Sequence, residues 1–166
     1  MKSVDLNQLT QFVILYCQSK GININPLKLQ KLLYYIQAWH IVNFEKDSLF
    51  SELPEAWVNG PVYKSVYDKY KTKFFRNDNF KVNYSNDKII DELNISLNYL
   101  GLSKEQEHVL YTVLNGYSPM SDEKLVFLTH RELPWNEARK GLSPIERSSN
   151  TISVDSMYNY YSTLLK

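Results

Sequence analysis

The chain has 166 residues, 43% of them hydrophobic and 14% aromatic, enough for one domain with a sizeable core spanning residues 1–166. Lysines and arginines number 19 against 18 aspartates and glutamates, so a formal net charge of +1 supplies no global field for nucleic acid or an anionic membrane. One cysteine excludes a disulfide framework or a thiolate metal cluster. No stretch approaches the roughly 18 apolar residues of a membrane span and no signal-peptide pattern opens the chain, so a cytoplasmic location is expected.

Helical periodicity dominates the chain order. Leu6, Leu9, Phe12, Val13, Tyr16 and Cys17 recur at three and four residues and predict a first amphipathic helix from Asp5 to Ser19, stopped by Gly21, with Cys17 as a small buried hydrophobe. Asn25 is placed as the N-cap of a second helix and Pro26 as its first residue, where the missing amide hydrogen costs nothing. In that helix, Leu27 to Asn43, Leu29, Leu32, Leu33, Ile36, Trp39 and His40 form one face. Leu27, Tyr34, Tyr35, Ala38, Ile41 and Val42 fill much of the rest. The apolar stripe is wider than a surface helix needs, so this helix is expected at the centre of the fold.

After a connector carrying Pro54 and Trp57, Gly60 permits a turn and Pro61 presets the dihedral for a new helix start. Val62, Tyr63, Val66, Tyr67, Tyr70 and Phe74 predict a third helix with an aromatic stripe, and Lys64, Lys69, Lys71, Lys73 and Arg76 give it a modest basic side, read as a solvated face. Alternation of Phe80, Val82 and Tyr84, with Asn86-Asp87 as a turn toward Ile89 and Ile90, predicts a small hairpin. Ser103 and Gln106 form a capping box for a fourth helix closed near Gly116, and a fifth runs from Ser121 to about His130. Pro134 and Trp135 lead into a short helix through Ala138 and Arg139, and Met157, Tyr158, Tyr161 and Leu164 mark a last one. The expected fold is mainly α: a compact single domain of about six helices around a central buried helix, with a small β-hairpin near Phe80 to Ile90.

Catalytic and metal motifs are absent from the sequence: there is no phosphate-binding glycine loop and no histidine pair at metal-ligand spacing. Neither a cofactor nor a catalytic residue is expected. His130 is read as a hydrogen-bonded histidine at a helix C-terminus, where the dipole favours its charged form. Lys28 and Lys31 lie on the most apolar helix, and their stems are expected to cover apolar surface while the ammonium groups reach solvent or a carboxylate such as Glu55.

Three blocks, KLQKLLYYIQAWH, EAWVNGPVYKSVYDKY and LTHRELPWNEAR, occur in this order. Together they resemble the signature of the Panacea domain, also described as the SocA-like antitoxin domain and as the phage-associated protein GepA family. The resembling residues are Lys28, Leu29, Lys31, Leu32, Tyr34 and Tyr35 in the first block. Ala56, Trp57, Gly60, Pro61, Val62 and Tyr67 carry the second, and Leu128, Thr129, His130, Pro134 and Trp135 the third. The resemblance implies a bacterial or phage-borne antitoxin that neutralises a cognate toxin, encoded beside it, by protein–protein contact. One branch is similar to an adaptor that hands its toxin to a cytosolic ATP-dependent protease.

Three readings follow: an antitoxin binding module, a proteolytic adaptor, and a small-ligand protein or enzyme using Lys31, Tyr34, Trp57 and His130 as a polar cluster. A tyrosine-rich helical domain suits the first, because tyrosine and tryptophan give contact area at low entropic cost. The family-signature residues are expected mostly to hold the fold. Partner choice is expected on the third helix and the segment to Tyr99, with Tyr63, Lys64, Tyr67, Lys71 and Phe74 as candidates. A monomer or weak dimer is the expected state.

Overall fold

The structure is a computed structural model that describes residues 2–165. Its elements in chain order are α1 (Leu6–Ser19), α2 (Pro26–Asn43), β1 (Glu55–Trp57), β2 (Gly60–Val62), α3 (Lys64–Lys69) and α4 (Lys71–Arg76). Then follow α5 (Asn86–Leu100), α6 (Lys104–Tyr117), α7 (Asp122–Arg131), α8 (Leu133–Ala138), α9 (Val154–Tyr161) and a 3-10 turn, Ser162–Leu164. The fold is mainly α with one small antiparallel hairpin, as the sequence predicts.

Helix α2 is the centre. Its N-cap Asn25 accepts from the Lys28 amide at 2.9 Å, and Pro26 opens the first turn. Fifteen of its 18 residues are buried, and α1, α6, α7, α9 and β2 all pack around it. Each large apolar side chain so buried contributes roughly 1.5–3 kcal/mol. A helix enclosed on all sides must also satisfy its polar residues, since a buried polar group without a partner is costly. α2 does so by tying down the chain that follows it. Gln37 donates to the Phe50 carbonyl at 2.7 Å and accepts from the Leu49 amide at 2.9 Å. Gln30 brackets Tyr63 in the same way, accepting from its amide at 2.8 Å and donating to its carbonyl at 3.1 Å. His40 lies between the Asp47 carbonyl and the Gln106 amide, and Gln106 also completes the capping box of α6 with Ser103.

The hairpin lies elsewhere than expected. β1 and β2 pair in the register Glu55 to Val62, Ala56 to Pro61 and Trp57 to Gly60, and the outer edge of β1 is covered by a bridge to Thr151 and by an Ala56 amide bond to the Asn150 carbonyl. Pro61 sits inside β2 instead of starting a helix, which begins at Lys64. Residues 80–85 form no strand. The Phe80 amide bonds to the Ile24 carbonyl, its ring packs on Tyr70, and Val82 is exposed, so the alternation there builds no ladder. Asn86-Asp87 starts α5 instead of turning a hairpin, and Ile89, Leu93 and Leu100 form that helix's buried stripe against α1. The predicted third helix is two short ones: the chain departs from helical geometry at Tyr70, which caps α3 and precedes α4.

Candidate functional site

The three sequence blocks meet at the hairpin. α2 supplies its floor: Gln30 holds Tyr63, and the Lys31 ammonium donates to the Pro61 carbonyl at 3.1 Å. Gly60, at φ +103°, makes the close approach possible. A Cβ there would lie 2.7 Å from Lys31 Cε and 2.8 Å from Thr129 Oγ1, so a side chain is excluded by space and by backbone geometry alike.

From the other side α7 and α8 grip β1. Trp135 Nε1 donates to the Trp57 carbonyl at 2.8 Å, and the His130 ring stacks on Trp135 at 4.2 Å while hydrogen bonding to the backbone of Val58. Arg139 reaches the Ala56 carbonyl at 2.8 Å and the carbonyls of Ser143 and Glu146, while its guanidinium lies over Trp135. One buried cation thereby ties the hairpin, α8 and the loop through 143–146 together.

Electrostatics here follow burial. Lys31 is fully enclosed, and burial pulls its amine down to about 7. This corrects the expectation of a snorkelling lysine: its ammonium reaches a carbonyl, and Glu55 instead accepts from the Trp57 indole at 2.6 Å. Lys28 is also buried. His130 sits in the last turn of α7, but burial lowers its pKa and its Nε2 has no partner among the described residues, so desolvation outweighs the helix dipole expected to favour its charge.

A second buried cluster lies one turn away. Glu132 accepts hydrogen bonds from Tyr35, at 3.0 Å, and from Tyr161, whose hydroxyl oxygen lies 3.2 Å from the Tyr34 hydroxyl and is free to accept from it. Tyr117 stacks on Tyr35 with ring centres 4.0 Å apart and accepts from Trp39 Nε1. Burial lifts the Glu132 carboxyl to about 7, with the two tyrosine hydroxyls opposing the rise. Lys31, Tyr34, Trp57 and His130 therefore do not make one site. Tyr34 joins the glutamate cluster, Lys31 lies under β2, and the polar atoms of both are sealed from solvent.

In front of the hairpin is an open groove of about 810 Å³. Trp57 and Val58 line it from the hairpin, Tyr67, Phe74 and Phe75 from α3 and α4, and Arg147 from the loop before Thr151. Three of the five candidate partner-binding residues are here: Lys64, Tyr67 and Phe74. Lys71 is exposed on α4, one turn before Phe74 and Phe75. Tyr63 is not on this surface. It is fully buried between Gln30 and Phe50, its hydroxyl lacks a partner among the described residues, and its role is in the core.

The family model described as "Antitoxin SocA-like, Panacea domain" matches residues 29–136, which takes in α2 from Leu29 on, the hairpin and the third block through Asn136. The chain belongs to this antitoxin family. No curated protein and no solved structure matches it. In this Panacea domain the family-signature side chains point mostly inward: Leu29, Lys31, Leu32, Tyr34, Tyr35, Ala56, Gly60, Pro61, Val62, Thr129, Pro134 and Trp135 are all buried. Trp57, Tyr67, Leu128 and His130 are half-buried. Glu132 and Arg139 fall within the third block yet carry no distinguishing signal in the sequence, since a charged residue in a helical pattern ordinarily faces solvent. Only the tertiary position of their carbonyl and hydroxyl partners reveals their roles. Arg147 is likewise invisible as a groove residue, because it lies in an irregular loop brought close by the Thr151 bridge.

Proposed function

We propose that this chain is an antitoxin that neutralises a cognate toxin by direct protein–protein binding in the cytoplasm, without catalysis of its own and as a monomer or weak dimer. Membership of the antitoxin family gives the class. The observation that supports binding over chemistry is the inward direction of the signature residues: Lys31 and Tyr34, the groups best suited to chemistry, have 0% and 1% exposure and act as internal supports for the hairpin and core. What the domain leaves outward beside the hairpin is a groove lined by aromatic side chains. We take residues 1–166 as one domain, because α1 and α9, outside the matched span, both pack on α2.

The test is co-expression with the neighbouring open reading frame, read by growth and by affinity pull-down. Toxicity of the neighbour alone, relieved by this chain with a stable complex, supports the reading. A harmless neighbour that does not bind overturns it. Toxin half-life in the same cells separates simple masking from delivery to an ATP-dependent protease: masking leaves the toxin level unchanged, delivery makes it fall.

A further inference from the structure

We propose that the groove between the hairpin and α3–α4 is the toxin-binding surface and takes an acidic segment of the toxin that carries large apolar side chains. The identity of the partner as a toxin rests on the antitoxin reading above; the chemistry of the segment rests on the groove itself.

The apolar part of the argument is Phe75. It is 73% exposed at the groove wall, next to Tyr67, while α4 buries none of its residues against the rest of the fold. A phenylalanine has no polar handle to justify such exposure, and covering it with an apolar partner removes that surface from water. The groove is large enough for several side chains, and Trp57 and Tyr67 add the amphipathic rings that interfaces favour.

The charge part is local. From Lys64 to Arg76 the chain carries five cationic side chains, Lys64, Lys69, Lys71, Lys73 and Arg76, against the single anion Asp68, in a protein of formal net charge +1. Lys64 is held by Asp68 at 2.6 Å. The side chains of Lys71 and Arg76, exposed on α4, and of Arg147 in the groove lining have no hydrogen bond or ion pair among the described residues. Glu55, the one carboxylate among the described lining residues, is engaged by the Trp57 indole. An acidic segment thus meets Arg147 and Lys64 in the groove lining, with Lys71 one helical turn before Phe74 and Phe75, and complementary charge sets register and speeds encounter. A nucleic acid suits the groove less well. Trp57, Tyr67 and Phe74 pack edge to face on one another, so they offer no parallel platform for base stacking.

Three arms test this with the full chain. Random peptides displayed on phage are selected on the immobilised protein, and the enriched sequences should combine Asp or Glu with Trp, Phe or Leu. Their affinity should fall about tenfold in Phe75→Ala and further in the double variant Lys71→Glu, Arg147→Glu, and should hold within about twofold in Tyr99→Ala, an exposed aromatic of α5 outside the groove. Far-ultraviolet circular dichroism and thermal unfolding confirm that each variant folds. Enriched peptides without acidic residues, or with unchanged affinity for the groove variants, overturn the proposal. In the second arm the neighbouring gene product is titrated against the same variants. If it binds the parent and the groove variants equally, the groove assignment fails while the antitoxin reading stands; if it neither binds nor poisons cells, that reading fails while the peptide arm still decides the groove. The third arm uses a fluorescent single-stranded 20-nucleotide DNA and RNA. Tight binding that the charge-reversal variant abolishes overturns the assignment to a protein segment.

Discussion

The hairpin with its supports and the α3–α4 flank lie side by side and use the same kinds of residue in opposite ways. Around the hairpin and the Glu132 cluster most indoles and phenols that go inside are supplied with a partner: Trp135 with the Trp57 carbonyl, Trp39 with Tyr117, Tyr35 and Tyr161 with Glu132. Tyr63 is the exception, its hydroxyl buried without a partner among the described residues. On the flank, α4 buries nothing, Phe75 stands in solvent, and the cations are only partly paired. Aromatic content therefore does not separate core from surface in this chain. The supply of polar partners does, because a buried phenol or indole costs free energy unless its hydrogen is accepted.

The contrast can be broken most forcefully at Gly60. Gly60→Val places branched carbons where Lys31 and Thr129 already sit, at a φ that valine avoids, and is expected to cost about 4 kcal/mol or more in urea-unfolding experiments, or to prevent folding. Next is Arg139→Ala, which strands three carbonyls and leaves Trp135 without its cation. A loss of about 2–3 kcal/mol is expected in the same assay, with faster hydrogen exchange at the Ala56 amide if the hairpin loosens.

Glu132→Gln sharpens the comparison through pH. In the folded protein this carboxyl titrates at about 7, against 4.5 ordinarily, so between those values the fold keeps a proton that the unfolded chain has lost. The stability tied to this group is complete below pH 4.5 and is lost as pH rises to about 7. The amide of the substituted side chain cannot titrate, and its oxygen still accepts from a tyrosine, so the variant should gain on the parent across that window by about 3 kcal/mol. His40 and His130, both lowered by burial, tilt the two proteins alike and drop out of the difference. A flat difference from pH 4.5 to 7 would show that Glu132 is solvated in the folded state. The smallest effect belongs to the flank: Phe75→Ala and Lys71→Ala should each change stability by no more than about 0.5 kcal/mol, because neither side chain is enclosed.

Much of the helical frame could be read from local signals. Asn25-Pro26, Ser103 to Gln106 and Ser121 announce helix starts that the structure keeps, each side chain accepting from the expected amide. The central place of α2 follows from its lack of a polar face. The hairpin was hidden because its strands are three residues long, too short for an alternating pattern, and it is stabilised by contacts to residues about 30 and 80 positions away. Phe80, Val82 and Tyr84 alternate well but lack a partner strand. In α5 the spacing of Ile89, Leu93, Leu97 and Leu100 is helical, and the Asn86-Asp87 pair obscures it by serving as helix start where a turn was expected. In the groove, the aromatic stripe of the third predicted helix marked Tyr67 and Phe74, but it could not show that the chain breaks at Tyr70 or that Tyr63 turns inward to Gln30.

The enclosure of α2 also fixes an order of events when the chain is made. Its own sequence is complete early, but the elements that close over it, α6, α7 and above all α9 with Met157 and Tyr161, come from Lys104 onward. Until they arrive, Tyr34, Tyr35 and their apolar neighbours stand open beside a ribosome that adds only about 5–20 residues each second. Seconds of such exposure are long for a protease or a chaperone, and the docking of α9 is the step that ends it.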